Sequence, residues 1–289
     1  MSNTNSLKIF PSKLLLFGEY TVTLGSDAIA MPFHNFEGHW ELTDHQPDER
    51  LMMMVDALKK GDFKAILNLA DLERDLQAGW MFRSTIPVGY GLGSSGALVA
   101  AIFDKYSVNG ILSLEILKSI FAEIESIFHG RSSGIDPLVS YLDTCLIISQ
   151  RDLIRQVGIS PKLDKTLLLD TGIPRATATY VEIFKAKLKM PEFYKAIEQL
   201  KALNTAAIQG ILDLMDILPI VREISALQYR HFVEMIPSTV LPIWKEGLES
   251  GAFSLKLCGA GGGGMFYVWT EDKDGFMDRY PDLKIVDCE

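Results

Sequence analysis

A chain of 289 residues with 48% hydrophobic side chains is long enough for two domains with proper cores. The net charge of −9 is spread along it with no basic block, which argues against a nucleic-acid groove or an anionic membrane surface but leaves room for an anionic small molecule. Cys145, Cys258 and Cys288 are too few and scattered for a disulfide framework or zinc site, and no leader-like or membrane-length apolar run is present, so a cytoplasmic protein is expected.

In chain order, Leu14 to Phe17 is a short continuous apolar run and reads as a buried strand. Gly18 breaks it and Tyr20 to Thr23 resume a β-type pattern, so a hairpin-like unit is expected. Lys13 and Glu19 flank the run; by themselves they read as a snorkelling surface lysine and a turn residue. Glu41 to Arg50 is a polar loop. Leu51 to Ala78 has apolar residues at helical spacing, broken at Gly61-Asp62 into two short helices, with Met52 to Met54 as core filler.

Gly79 to Ile86 is aromatic and β-branched and reads as a strand ended by Pro87. Pro87 to Ala101, P-V-G-Y-G-L-G-S-S-G-A-L-V-A-A, then passes from glycine loop to apolar helix, which runs on to Tyr106. Strand, glycine loop and helix start form an arrangement that binds phosphate, because glycines admit the anion to the backbone and the first helical amides point at it. The spacing is neither Walker A nor G-x-G-x-x-G, and taken alone it also fits a tight turn with a serine N-cap.

Ser113 to Phe128 is an amphipathic helix with Leu114, Leu117, Phe121, Ile124 and Phe128 on one face. Glu125 falls inside that apolar stripe, where a carboxylate needs a cation or donors; an arginine salt bridge would serve as well. His129-Gly130 ends the helix. Asp136 precedes Pro137, which predicts a non-helical turn and a carboxylate aimed with some rigidity.

Lys165 to Asp170 reads as a buried strand, Thr171 to Pro174 as a turn, and Arg175 to about Lys189 as helical. Pro191 to Gln209, Ile211 to Ile217 and Pro219 to Ile236 are further helical stretches, separated by prolines and Gly210. Leu255 to Trp269 is a hairpin by period, yet Gly259 and Gly261 to Gly264 exceed what a turn needs, which suggests close approach of a ligand.

Pro11 to Tyr20, Pro87 to Ala97 and Lys256 to Gly264 together resemble the three motifs of the GHMP kinase family, over nearly the whole chain. The G-E-Y after the lysine strand, H-G-x-x-S-G-I-D from His129 and D-T-G-x-x-R-x-T from Asp170 are most similar to the mevalonate kinase branch. The resemblance implies a two-domain α+β fold: an N-terminal domain of ribosomal S5 domain 2-like type over residues 1–162 and a ferredoxin-like C-terminal domain over 163–289. It implies ATP- and Mg2+-dependent phosphorylation of a small-molecule hydroxyl, mevalonate first among acceptors. A sister enzyme (phosphomevalonate kinase, diphosphomevalonate decarboxylase or sugar kinase) or a non-catalytic regulator on the same fold is the alternative.

By the same resemblance Gly91, Leu92, Gly93, Ser94, Ser95 and Gly96 bind the ATP phosphates, and Ser95 and Glu125 bind magnesium. Asp136 is the catalytic carboxylate with Lys13 beside it. Glu19, Tyr20, His129, Thr177, Gly259, Ala260 and Gly261 are acceptor or phosphate-side positions. Arg131 and Arg175 are the candidate cations for an already phosphorylated acceptor. A homodimer is left open. Three departures stand out: Ser12 where glycine is usual, Tyr20 where histidine is usual, and Ser132 where proline is usual. The first and third read as tolerable turn changes; the second bears on the acceptor.

Overall fold

Alternating apolar runs and amphipathic stretches dictate a mixed architecture. The computed structural model describes residues 8–44, 46–149, 153–159, 161–175 and 177–288, with ten α-helices and nine β-strands among them. Two units divide the chain: one takes the segment up to Lys13, Pro32–Pro87 and Leu92–Thr144, the other Leu14–Met31, Val88–Gly91 and the chain from Cys145. Strands β1 (Phe10–Phe17) and β2 (Ala28–Leu42) each pass from one unit into the other.

In the first unit the outer half of β2 pairs antiparallel with β3 (Trp80–Ser84), from Gly38 opposite Ser84 to Leu42 opposite Trp80. Five helices follow: α1 (Glu49–Lys60), α2 (Leu69–Gln77), α3 (Ser94–Tyr106), α4 (Leu114–His129) and α5 (Ile135–Leu142). Side chains of Asp48, Asn68 and Ser113 cap α1, α2 and α4, accepting from backbone N–H groups left unpaired at each start. The break at Gly61 is present. The methionine run splits, however: Met54 is buried and Met53 is 72% exposed, since successive helical residues turn by about 100°. Helix α3 is buried nearly all round, with Phe103 edge-on to Phe121 of α4 at 5.0 Å.

Asp136-Pro137 corrects the sequence reading. Rather than forming a turn, the pair sits in the first turn of α5 behind a left-handed Gly134, where proline is tolerated because its missing N–H would have no intrahelical acceptor.

In the second unit β4 (Cys145–Ser149) pairs antiparallel with the start of β2 and with β5 (Leu153–Val157). A separate sheet contains β6 (Thr166–Asp170), β7 (Phe253–Leu257), β8 (Met265–Thr270) and β9 (Lys284–Asp287) in the antiparallel order β7-β8-β6-β9. Its helices are α6 (Thr177–Lys187), α7 (Pro191–Leu212), α8 (Leu218–His231), α9 (Leu241–Ser250) and α10 (Lys273–Arg279). None of the helices among the described residues is long and apolar enough to cross a membrane.

Two expectations fail here for local reasons. Tyr20 to Thr23 do not make a second hairpin strand: positive φ at Gly18 and Tyr20 curls the chain into a 3-10 turn, Thr21–Leu24, closed by left-handed Gly25. Gly210 does not break the helix. It lies inside α7, where a Cβ would meet Ile217 Cγ2 at 2.7 Å, so the residue serves close packing rather than termination.

Candidate active site

In the first unit, left-handed Gly93 stands at the N-cap of α3, and the first intrahelical bond runs from Ala97 N–H to the Gly93 carbonyl at 2.9 Å. The N–H groups of Ser94, Ser95 and Gly96 therefore lie ahead of the helical ladder, at the positive end of its dipole. Lys13 N–H donates to the Leu92 carbonyl at 2.8 Å, tying β1 to the loop. Helix α5 passes so close that a Cβ on Gly96 would lie 2.8 Å from the Asp136 carbonyl carbon. Glycine at 96 is what lets the loop helix and the Asp136 helix meet.

That approach sets a lysine–carboxylate pair beside the loop. Lys13 Nζ lies 2.8 Å from Asp136 Oδ1, the lysine buried and the carboxylate side chain 29% exposed. A Cβ on Gly93 would fall 3.4 Å from Lys13 Cβ and 3.6 Å from Asp136 Oδ2, so the loop's bare glycine backs directly on the pair. Lys13 is thus not a snorkelling surface residue, as its position beside a core strand had suggested.

Glu125 is 5% exposed on α4. Ser95 Oγ donates to its Oε1 at 2.8 Å and Ser132 Oγ donates to its Oε2. Burial pushes the Glu125 carboxyl above its ordinary range and the Asp136 charge adds to that, with the two serines and Lys13 opposing. No arginine salt bridge is needed to explain the residue. Magnesium takes hard oxygen donors, characteristically one or two carboxylates completed by substrate phosphates. A serine hydroxyl touching a buried carboxylate at a helix N-terminus fits that ion in the company of a nucleotide. No group of three His, Cys, Asp or Glu residues among the described ones could hold a metal unaided.

In the second unit the residues converge on the turn between β7 and β8. Glu19 and Lys256 form a buried ion pair, and Lys256 Nζ also donates to the Leu257 carbonyl at 2.8 Å. Burial pushes the Glu19 carboxyl up while Lys256 opposes it. Tyr20 hydroxyl donates to the Ala260 carbonyl at 2.6 Å, and its ring stacks on Phe184 at 4.5 Å. Arg175 Nη1 donates to the Cys258 carbonyl at 2.8 Å, and a Cβ on Gly91 would overlap its guanidinium, 1.2 Å from Nη2.

The surplus glycines are explained by protein atoms. A Cβ on Gly259, Gly261, Gly262, Gly263 or Gly264 would press on Arg175, Met235, Tyr180, Ile173 or Tyr90 respectively. At these five positions atoms of this chain themselves make a close approach.

The structure thus brings together Lys13, Gly93, Ser95, Gly96, Glu125 and Asp136 in one unit, and Glu19, Tyr20, Gly91, Gly259, Ala260 and Gly261 around the turn in the other. Thr177 is exposed at the start of α6, one turn ahead of Tyr180. The side chain of His129 lies outside the described residues. Arg131 is exposed, whereas Arg175 is drawn into the glycine turn. Two side chains that contact these residues, Lys256 and Ser132, had no role in the sequence reading. Lys256 had a signal, a lone cation in the otherwise apolar strand F-S-L-K-L; Ser132 had none, because its partner lies one helix end away.

The family model described as GHMP kinases N terminal domain matches residues 57–143. The mevalonate kinase of Pyrococcus horikoshii is 28% identical, across 89% of this chain and 86% of its own. Among solved structures, L. major mevalonate kinase in complex with R-mevalonate aligns with a TM-score of 0.66 at 19% identity, covering 99% of this chain and 97% of that one. Streptococcus pneumoniae phosphomevalonate kinase in complex with phosphomevalonate and AMPPNP aligns at 0.67 and 16% identity, covering 96% and 98%. These structural likenesses speak for the fold, and the fold is the two-domain α+β one expected from the sequence.

Proposed function

We propose that the chain is a small-molecule kinase of the GHMP kinase family and that it transfers the terminal phosphoryl group of ATP to the hydroxyl of mevalonate. The observation that carries the reading is the Lys13–Asp136 pair at 2.8 Å directly behind Gly93 of the phosphate loop. Phosphoryl transfer asks for positioning and charge neutralisation more than for covalent chemistry. The amides of Ser94, Ser95 and Gly96 would hold phosphate oxygens. Asp136 would accept or hold the proton of the acceptor hydroxyl, and Lys13, 2.8 Å from its Oδ1, would hold that carboxylate in place and steady the charge on the group in flight.

Ser95 and Glu125 would hold magnesium, which when bound neutralises phosphate charge. The domain scheme of residues 1–162 and 163–289 belongs to this reading, as do the acceptor-side roles of Tyr20 and Ala260. The choice of mevalonate rests on relatives of that name that resemble nearly the whole chain. The three cysteines are buried, which suits a reducing, cytoplasmic setting.

Purified protein with ATP and magnesium, offered mevalonate, phosphomevalonate and several sugars, tests this. ADP release with mevalonate well above the others is expected. Turnover of phosphomevalonate alone would move the chain to the sister reaction, and ATP binding without any turnover would make it a regulator.

A further inference from the structure

Ser132 is a polar side chain of this site with no part yet in the chemistry. Its hydroxyl donates to Glu125 Oε2, while the N–H of Gly134 donates to that hydroxyl oxygen at 3.0 Å. The Ser132 N–H in turn donates to Ser126 Oγ at 3.1 Å, and Ser126 Oγ donates to the Ala122 carbonyl at 2.6 Å. The segment is pressed on α4, since a Cβ on Gly134 would lie 2.2 Å from the Lys118 carbonyl oxygen. Ser132 is therefore fixed from both sides: to the last turns of α4, which carry Glu125, and to the N-cap of α5, which carries Asp136.

A buried carboxylate with two equivalent oxygens can rotate about its terminal torsion, which is broad and roughly two-fold. Holding one oxygen with a hydroxyl that cannot itself move leaves the other directed at Ser95. We infer that Ser132 is a positioning residue for the metal site. It clamps Glu125 Oε2 so that Oε1 and Ser95 Oγ are presented together to a divalent cation, and it locks that carboxylate to the start of the helix bearing Asp136. The inference rests on the proposed assignment of Ser95 and Glu125 to magnesium. Partners of this kind that orient a metal ligand typically change metal affinity about 10–100-fold when removed.

The test uses Mn2+ as the probe, with AMPPNP, on the full chain: Mn2+ affinity by electron paramagnetic resonance, and nucleotide affinity by a separate titration without metal. Ser132→Ala should weaken Mn2+ binding about tenfold or more with metal-free nucleotide affinity unchanged. Ser132→Thr, which keeps the hydroxyl, should bind Mn2+ close to wild type. Ser133→Ala is the control: its hydroxyl accepts only from the Ile135 N–H, at 3.4 Å, among the bonds seen here, so its affinity should be unaltered. Wild-type Mn2+ affinity in Ser132→Ala, or an equal loss in Ser133→Ala, overturns the inference. Glu125→Gln separates the two levels. If it leaves Mn2+ affinity intact, the metal assignment itself fails; if it abolishes binding while Ser132→Ala does not weaken it, only the role of Ser132 is lost.

Discussion

Each unit holds a lysine–carboxylate pair, and the two differ in what surrounds them. Lys256 and Glu19 have side chains 0% and 2% exposed; Lys13 and Asp136 have 9% and 29%. Lys256 is used up: it meets Glu19 and the Leu257 carbonyl and lies over the rings of Phe17 and Tyr267 at 5.2 and 4.8 Å. Asp136 meets Lys13 through Oδ1, while Oδ2 faces the space a Cβ on Gly93 would narrow. A closed pair can hold a turn in shape but has no group left to exchange a proton. A half-open pair keeps an oxygen for a substrate while its lysine holds the charge. The contrast is one of openness, not of residue type.

The largest effects should therefore split by kind. Asp136→Asn is expected to lower kcat by about 10²–10⁴-fold, the span of general acid–base assistance, with nucleotide affinity nearly unchanged in a direct titration. Lys13→Met should also lower kcat, and the double variant should lose less than the product of the two, since they act as a unit. Near-normal turnover in Asp136→Asn would take that residue out of the centre of the reaction. Lys256→Met should instead cost stability, about 3–5 kcal/mol for a buried pair broken on one side, read by chemical denaturation. Adding Glu19→Gln should recover much of that loss. An unchanged unfolding midpoint in Lys256→Met would refute the structural reading of the closed pair.

How much of this contrast the sequence could carry depends on distance along the chain. The glycine loop, the amphipathic α4 and the out-of-place Glu125 are local patterns found where the sequence put them, although Phe128 at the end of the apolar stripe is exposed. Lys256 and Glu19 were each visible as a lone charge beside an apolar run, but 237 residues separate them and no local rule joins them. Ser132 read as a neutral turn change because Gly130, left-handed at the end of α4, reverses the chain and returns the hydroxyl to Glu125. What crowds the glycine-rich turn was illegible for the same reason: Arg175 and Tyr180 come from a stretch far ahead in sequence. The helical start at Asp136 was obscured by a rule about residues before proline that a left-handed glycine N-cap overrides.

A smaller effect is expected at Tyr20, which borders the closed pair in sequence and faces the turn. Burial raises its phenol above the ordinary range, so it is neutral at any working pH, and its hydroxyl is committed to the Ala260 carbonyl. Tyr20→Phe removes that bond at a cost of about 0.5–1.5 kcal/mol and frees the carbonyl of a residue assigned to the acceptor side. The acceptor KM should rise clearly more than the ATP KM in steady-state kinetics. Equal changes in both would make Tyr20 a packing residue only.

The smallest effect is on stability at Glu125, and its sign runs opposite to that at Lys256. Burial and the Asp136 charge raise the folded-state pKa of Glu125 above its unfolded value of 4.5. At low pH the carboxyl is protonated in both states and its contribution to stability is fully present. As pH rises through the raised folded-state pKa, the native state must hold a charge it disfavours, and that contribution is lost. Without magnesium, Glu125→Gln should therefore show a higher Tm than wild type at pH 8, with the gap closing toward pH 4. Gln keeps one acceptor for Ser95 or Ser132, so the hydrogen bonds are only partly given up. Adding magnesium and AMPPNP should raise the Tm of wild type more than that of Glu125→Gln, because only the carboxylate offers a charged ligand. A gap of constant size from pH 4 to pH 8 would mean that packing, not ionisation, separates the two proteins, and the open site would then carry no electrostatic strain at Glu125.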